Sequence, residues 1–389
     1  MLESKVCSLV LGGHVNGYSI VSELYSSGIT EIVLFDYGRS ISRFSNKLVS
    51  VSAMSPCLSD LKDKILRLKD NYDYIVIFPT DDKQLEVLAE IYDDINAFCY
   101  VPVNVNSLKK ALDKSYQYEV CEKIGVPYPR SKSIKISVSV NDFEKLKFPI
   151  IIKPITRQDL SIKVFRNLYL DSLDSLLQNL NLINTHLQNG VEFLVSEFIP
   201  GDDTNIYAYT CFKDRNGDIK NEWAGKKLTQ YPDNYGVVCS ASNEFPDEVF
   251  EQGRKLVSEL DVYGVIEPEF KYDYRENSFK LMEVNLRSMM WNKVGSASNV
   301  NLHVTLFNSA IGREIIKYEQ ETKETIHTVL MLHEIPNLIT RKGYIKHFKH
   351  NLFGGKRRVW MIFDKNDIKP FLFSLLVLFK IVGRLCLKK

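Results

Sequence analysis

The stretch Gly264 to Arg287, GVIEPEFKYDYRENSFKLMEVNLR, decides how this chain folds. It predicts two strands joined by a hairpin turn. Val265, Ile266 and Phe270 carry the first strand, Arg275, Glu276, Asn277 and Ser278 form the turn, and Phe279, Leu281, Met282 and Val284 carry the second. Glu283 and Asn285 are two apart, so their side chains leave one face. Glu269 on the neighbouring strand can lie across from them. Two carboxylates and an amide oxygen, with Arg287 just beyond, make a hard, oxygen-rich set that suits Mg²⁺ carrying nucleotide phosphates. The competing reading is a surface hairpin with solvated charges.

At 389 residues the chain is too long for one core and predicts two or three domains. Hydrophobic residues make up 45% and charged residues 25%, which excludes a disordered chain. The cysteines (Cys7, Cys57, Cys99, Cys121, Cys211, Cys239 and Cys386) are scattered without a CxxC pair. That argues against a zinc site or a disulfide framework and for a reducing compartment. No basic region followed by an apolar run and a cleavage site opens the sequence, so the expected location is cytoplasmic.

The overall charge of +2 conceals an asymmetry. Arg341 to Lys389 holds thirteen Lys/Arg against two Asp, a local +11, which leaves about −9 for the preceding residues. The apolar run Phe371 to Phe379 is far short of the roughly 20 residues a spanning helix needs. Flanked by Lys369, Lys380, Arg384, Lys388 and Lys389, it predicts one of two things: a helix on an anionic membrane face, at the inner surface, or a helix docked on the protein's own core. Aromatic residues are not interleaved with the charges as stacking platforms, so nucleic acid is not an expected partner.

In chain order, Lys5 to Leu11 predicts a strand, then a turn Gly12-Gly13-His14-Val15-Asn16-Gly17. A helical pattern with Ile20, Val21 and Leu24 ends near Gly28, and a strand from Ile32 to Phe35 is closed by Asp36. This order suits a nucleotide-binding βαβ unit, but the glycines lack GxGxxG spacing, which disfavours NAD. Tyr74 to Phe78 predicts another strand. Thr80 or Asp81 can cap the helix Lys83 to Tyr92, and both lie at a strand end where open sheets bind ligands. Phe98 to Val101 adds a short strand. Residues 1–105 thus predict a parallel α/β domain. Ser107 can cap a helix running to Ile124, with Lys114 near its middle and Gly125 ending it. FPIIIKP (148–154) predicts a strand with Lys153 at its end. Val191-EFLVSEFIPGDD predicts a strand whose exit exposes backbone groups to an adenine edge, followed by acids that can accept ribose hydroxyls.

Taken together, these motifs resemble the ATP-grasp superfamily of carboxylate–amine ligases. They stand in that family's order over residues 1–310: Lys114 before a helix ending in GVPYP, Lys153 in IIIKP, the hinge SEFIPGDD, then EPEFKYD and EVNLR. Tyr118-EVCEKIGVPYPRS and Gly225-KKLTQYP are particularly similar to D-aspartate ligases, which add an amino acid to a cell-envelope precursor. The resemblance implies an ATP-grasp fold of α/β and α+β class. A Rossmann-like domain would occupy 1–105, a small lid subdomain 106–195, a subdomain with the metal site 196–310, and a basic extension 311–389.

The resemblance also implies roles. Lys114 and Lys153 would contact the α- and β-phosphates of ATP. Glu197 would meet the adenine amino group, with the backbone of Phe198 and Ile199 completing the contacts, and Asp203 would bind the ribose. Glu269, Glu283 and Asn285 would hold two Mg²⁺ ions. Arg287 would neutralise the transferring phosphoryl group or acyl phosphate, and with Lys153 forms the expected catalytic pair. Lys226 or Lys227, with Arg157, are expected helpers, the two lysines as candidate substrate contacts. Thr80, Asp81 and Ser296 are candidate substrate contacts, although each can equally be a helix cap or structural polar group.

The implied chemistry needs no protein nucleophile. A carboxylate takes the γ-phosphoryl group, ADP leaves, and an amine attacks the acyl phosphate and displaces phosphate; charge neutralisation and alignment do most of the work. The sequence offers no evident Ser–His–Asp or Cys–His set. An acyl phosphate must be shielded from water, which calls for a lid. Two departures stand out: Pro154-ITRQDLSIKVF has no glycine where many relatives have a glycine-rich loop, and Leu286 stands where relatives commonly have proline. The expected partners are an amino acid and a carboxylate acceptor, with a polymeric or lipid-linked acceptor among the options and a homodimer left open. The alternatives are an idle nucleotide-binding scaffold and an NAD-dependent oxidoreductase.

Overall fold

The computed structural model describes residues 5–55, 57–155, 164–165, 167–233 and 236–387. Two compact units divide the chain. The first joins Met1–Leu112, Asp202–Glu269 and Val284–Lys389; the second joins Asp113–Gly201 and Phe270–Glu283. The units are discontinuous, whereas the segments expected from motif order are consecutive.

The first unit opens with an all-parallel sheet of β1 (Val6–Leu11), β2 (Ile32–Asp36), β3 (Ser50–Ala53), β4 (Tyr74–Phe78) and β5 (Cys99–Tyr100), ordered β3-β2-β1-β4-β5. The strands at its centre are near-continuous apolar runs, as burial on both faces requires. The glycine turn after β1 is a packing device. Gly12 has φ of +87°, and a Cβ there would lie 2.5 Å from Thr80 Oγ1. A Cβ on Gly17 would lie 2.0 Å from the Gly12 carbonyl oxygen, so the helix Val15–Ser26 sits directly on the turn. Asp36 accepts from Gly13 N (3.1 Å) and Ser40 Oγ (2.7 Å). Its carboxylate is engaged inside the turn, as a ribose-binding acid would not be.

The second unit has a four-stranded sheet of β6 (Ser131–Ile134), β7 (Ile150–Pro154), β8 (Leu168–Leu170) and β9 (Phe193–Glu197), ordered β6-β9-β7-β8 and antiparallel throughout. Its core joins Ile150, Ile152, Leu170 and Phe193 to Leu176 and Ile183 of the helix Leu173–Gln188.

The remaining sheet has β10 (Ile206–Lys213), β11 (Ile219–Tyr231), β12 (Val237–Ser242), β13 (Gly264–Asp273), β14 (Ser278–Asn285), β15 (Ile326–Val329) and β16 (Arg357–Trp360), ordered β14-β13-β10-β11-β12-β15-β16. The expected hairpin is β13–β14. Its turn is clamped by buried Asp273, which takes Arg275 at 2.8 Å and Lys280 at 3.0 Å, with Asn277 in the left-handed region at φ 51°. Burial alone would raise the Asp273 carboxyl; bonds from Arg275 and Lys280 outweigh it and hold the group well below the usual range. In the first unit, Trp223 on β11 meets Trp291 edge-on with centroids 6.0 Å apart. The helix Ile368–Cys386 packs Phe371, Phe373, Val377, Leu378 and Ile381 onto that core. Among the described residues no helix is long and apolar enough to cross a membrane.

One expected helix is two. Leu108–Ala111 and Lys114–Ile124 are separated by Asp113, whose extended backbone breaks the run and whose carboxylate accepts from Ser115 N at 2.8 Å. Asp113 is therefore the cap, and Ser107 instead donates to the Asp261 carbonyl oxygen. Lys114 opens the second helix and does not lie near the middle of a single one. Gly125 ends it at φ 71°, as expected.

Candidate active site

In the first unit, Glu269 on β13 is buried and bonds Lys227 Nζ on β11 at 2.7 Å, with side chains only 4% and 9% exposed. Lys227 Nζ also lies 5.5 Å from the Trp291 ring centroid. One alternation earlier, Glu267 is fully buried and accepts from Trp291 Nε1 (2.9 Å) and Thr210 Oγ1 (3.1 Å). Burial, and then the Glu269 charge, push its carboxyl up to about 8. Asn285 on β14 is buried, and its Nδ2 finds no hydrogen-bond partner. Arg287 follows and grips Asp82 with two donors, Nε at 2.7 Å and Nη2 at 3.3 Å. Buried Asp203 directs Oδ2 to Gln230 N and to Arg341 Nη1, each at 3.0 Å. Lys226 pairs with Glu244 at 3.3 Å.

The candidate substrate contacts are structurally engaged. Asp81 caps the helix Asp82–Glu90 in a capping box with Gln84. Thr80 Oγ1 donates to the Leu11 carbonyl oxygen at 2.7 Å. Ser296 Oγ donates to Glu23 Oε1 at 2.8 Å.

In the second unit, Lys114 Nζ meets Glu283 Oε2 at 2.6 Å, with side chains 28% and 38% exposed. Tyr118 OH donates to the Met282 carbonyl oxygen (3.2 Å) and Leu281 N to that of Pro127 (2.8 Å), fixing this helix and its exit against β14. Lys153 is the last residue but one of β7, in register with Leu194 of β9. Glu197 ends β9; it is buried, and its Oε1 accepts from Lys147 N at 2.9 Å. Phe198 N donates to the Pro149 carbonyl oxygen (2.8 Å), and the Phe198 carbonyl accepts from Arg275 Nη2 (3.3 Å). Ile199 is buried beside them. Arg157 and the glycine-free loop 156–163 lie outside the described residues, as do Lys388 and Lys389.

Among the described residues no three His, Cys, Asp or Glu side chains cluster as a metal site. The expected set is two carboxylates and an amide. Glu269 and Asn285 belong to the first unit and Glu283 to the second; each carboxylate bonds an ammonium, and the oxygens of all three side chains are of the hard type a divalent cation takes.

Further buried charged residues lie on the same strand as Glu269. Buried Lys271, one alternation beyond Glu269, holds its Nζ 5.1 Å from the Phe198 ring centroid. The alternation of β13 could have flagged both Glu267 and Lys271. A Ser–His–acid set, which the sequence did not suggest, also exists. His303 lies 2.6 Å from Glu23 Oε2 through Nδ1 and 2.7 Å from Ser288 Oγ through Nε2. The three are 1%, 3% and 5% exposed for His303, Glu23 and Ser288. Ser288 Oγ donates to Asn16 Oδ1 (2.9 Å) and accepts from Asn292 Nδ2 (2.8 Å). A hydroxyl so enclosed, with its proton and lone pairs engaged, is no nucleophile. The set pins the helix Val15–Ser26 to the turn after Arg287. Burial alone would raise Glu23; the neighbouring His303 ring outweighs it and holds the carboxyl low.

No family model matches the chain. Over 234 residues it is 22% identical to D-aspartate ligase of Enterococcus faecium (strain Aus0004), covering 57% of this chain and 55% of that protein. The match thus spans about half the length of that relative. Among solved structures, N5-carboxyaminoimidazole synthetase from Staphylococcus aureus complexed with ADP aligns at TM-score 0.61 and 16% identity, covering 82% of this chain and 81% of that one. L-amino acid ligase from Bacillus licheniformis aligns at 0.56 and 12%, covering 83% and 79%. The biotin carboxylase–ATP-analogue complex from Campylobacter jejuni aligns at 0.63 and 11%, covering 80% and 73%. The chain therefore has the ATP-grasp fold, with a sequence likeness to a D-aspartate ligase over 234 residues.

Proposed function

We propose that this chain is an ATP-dependent ligase that joins a carboxylate to an amine, one partner being an amino acid and the other a cell-envelope or surface-glycan precursor. One observation carries the reading: the 2.6 Å bond of Lys114 to Glu283. A lysine expected on a phosphate and a carboxylate expected on a cation meet in a partly exposed pair. Arriving nucleotide phosphate and its cation can exchange this pair without uncovering a buried charge.

In this reading Lys114 and Lys153 bind the α- and β-phosphates. Glu197, the Phe198 carbonyl and Ile199 orient the adenine, since the Phe198 N–H already serves Pro149. Asp203 meets the ribose beside Arg341. Glu269, Glu283 and Asn285 would hold two Mg²⁺ ions, which supply neutralisation of the phosphate charge when bound. A substrate carboxylate oxygen attacks the γ-phosphorus and ADP leaves, giving an acyl phosphate. Arg287 stabilises the negative charge of that group after exchanging its partner Asp82. The amine then attacks the acyl carbon, and phosphate leaves as the nitrogen loses its proton. The likeness to a D-aspartate ligase supports an amino acid, in particular D-aspartate, as one of the two partners.

The test is ADP release with the proteinogenic amino acids and their D-forms, each with and without envelope precursors. The reading expects release that depends on both an amino acid and an acceptor. Nucleotide binding with no stimulated release by any combination would favour an idle scaffold.

A further inference from the structure

The helix Ile368–Cys386 buries one face and leaves another without cover. Phe371, Phe373, Val377, Leu378 and Ile381 lie against the core of the first unit, and Phe373 stacks on Phe44 with centroids 4.3 Å apart. The opposite face carries Ile368, Leu372, Leu376 and Phe379, exposed by 40%, 51%, 60% and 72%. Steps of four, four and three place these side chains in one stripe along the helix. Lys369, Lys380 and Arg384, all exposed, flank the stripe. A helix serving only the protein's core would present polar residues here.

We propose that this face docks on an anionic lipid bilayer, lying in the interfacial plane with the apolar stripe among the upper acyl chains and the flanking cations among the headgroups. Charge complementarity selects this occupant. The helix carries Lys369, Lys380 and Arg384 and no acidic residue, so a second copy on the same face would set like charges together. The helix does not qualify as a membrane span, so the contact is peripheral. This inference does not depend on the ligase reading; with it, the docked face would hold the enzyme where lipid-linked precursors lie.

The test is flotation of the full chain with phosphatidylcholine vesicles and with vesicles of phosphatidylcholine and phosphatidylglycerol in equal parts. Binding is expected only to the anionic vesicles, weakening as salt rises. Lys369→Glu/Lys380→Glu/Arg384→Glu should lower partitioning on the order of a hundredfold, and Leu376→Ser/Phe379→Ser should do so without changing net charge. All these positions are exposed, and unchanged melting and circular dichroism would verify folding. The proposal is overturned if the full chain does not float with anionic vesicles, if the stripe variant floats like the wild type, or if the stripe variant instead dissociates a dimer.

Discussion

Replacing Lys227 by methionine removes the ammonium bonded to Glu269 and keeps the volume of its stem. Both side chains are almost fully enclosed, at 9% and 4% exposure. The carboxylate left behind would have Glu267 one alternation away in the same interior. Breaking a buried pair from one side costs about 3–5 kcal/mol, because the remaining charge loses its partner without regaining water. For a unit of this size that is a fall in melting temperature of about 5–8 °C. Lys227→Met/Glu269→Gln should recover much of the loss, giving a coupling of at least about 1 kcal/mol in a double-mutant cycle followed by calorimetry. If Glu269 is a cation ligand, Mg²⁺ at a hundredfold excess over its Kd should stabilise Lys227→Met by about 2.7 kcal/mol, and the wild type by less. A single variant within about 1 °C of wild type, or strictly additive effects, would refute the buried-pair reasoning.

Three further outcomes follow from the same geometry. Glu283→Gln should abolish ADP release while melting stays near wild type, because a partly exposed ligand is changed and no core residue is; an unchanged rate in a coupled ADP assay would remove Glu283 from the metal set. Ser288→Ala should lower stability by about 1–3 kcal/mol through the orphaned Asn16 and Asn292 groups; labelling of Ser288 by a fluorophosphonate, read by mass spectrometry, would contradict its structural role. His333 is pushed down to about 4 by burial. Between its ordinary value near 6.5 and 4 the unfolded chain binds more protons, so stability is lost as pH falls through that window, up to about 3 kcal/mol. His333→Gln should flatten the denaturation midpoint across that range, and an unaltered pH profile would rule His333 out.

The parts legible in the sequence were those with a local period or a local stop. Alternation in 264–287 gave the hairpin and the shared face of Glu283 and Asn285, and Gly125 ended its helix where a left-handed residue was needed. The break at Asp113 was missed because the apolar spacing from Leu108 to Ile124 reads as one helix; only the capping competition between Ser107 and Asp113 divides it. The contacts that give the site its electrostatics have no local signal. Arg287 finds Asp82, Asp203 finds Arg341, and Glu23, His303 and Ser288 assemble from distant segments. Such pairs are fixed by strand order and by the economy of neutralising buried charge, neither of which is written in any short stretch.

The central claim is that nucleotide turnover here is coupled to activation of a substrate carboxylate. Its most direct test is ¹⁸O transfer: the amino acid and the acceptor, both labelled in their carboxylates, are incubated with the protein, ATP and Mg²⁺, and the released phosphate is analysed by mass spectrometry. The account predicts one labelled oxygen in each phosphate released, with formation of an equal amount of amide. Phosphate released without label, or released equally well without the amino acid, would contradict it.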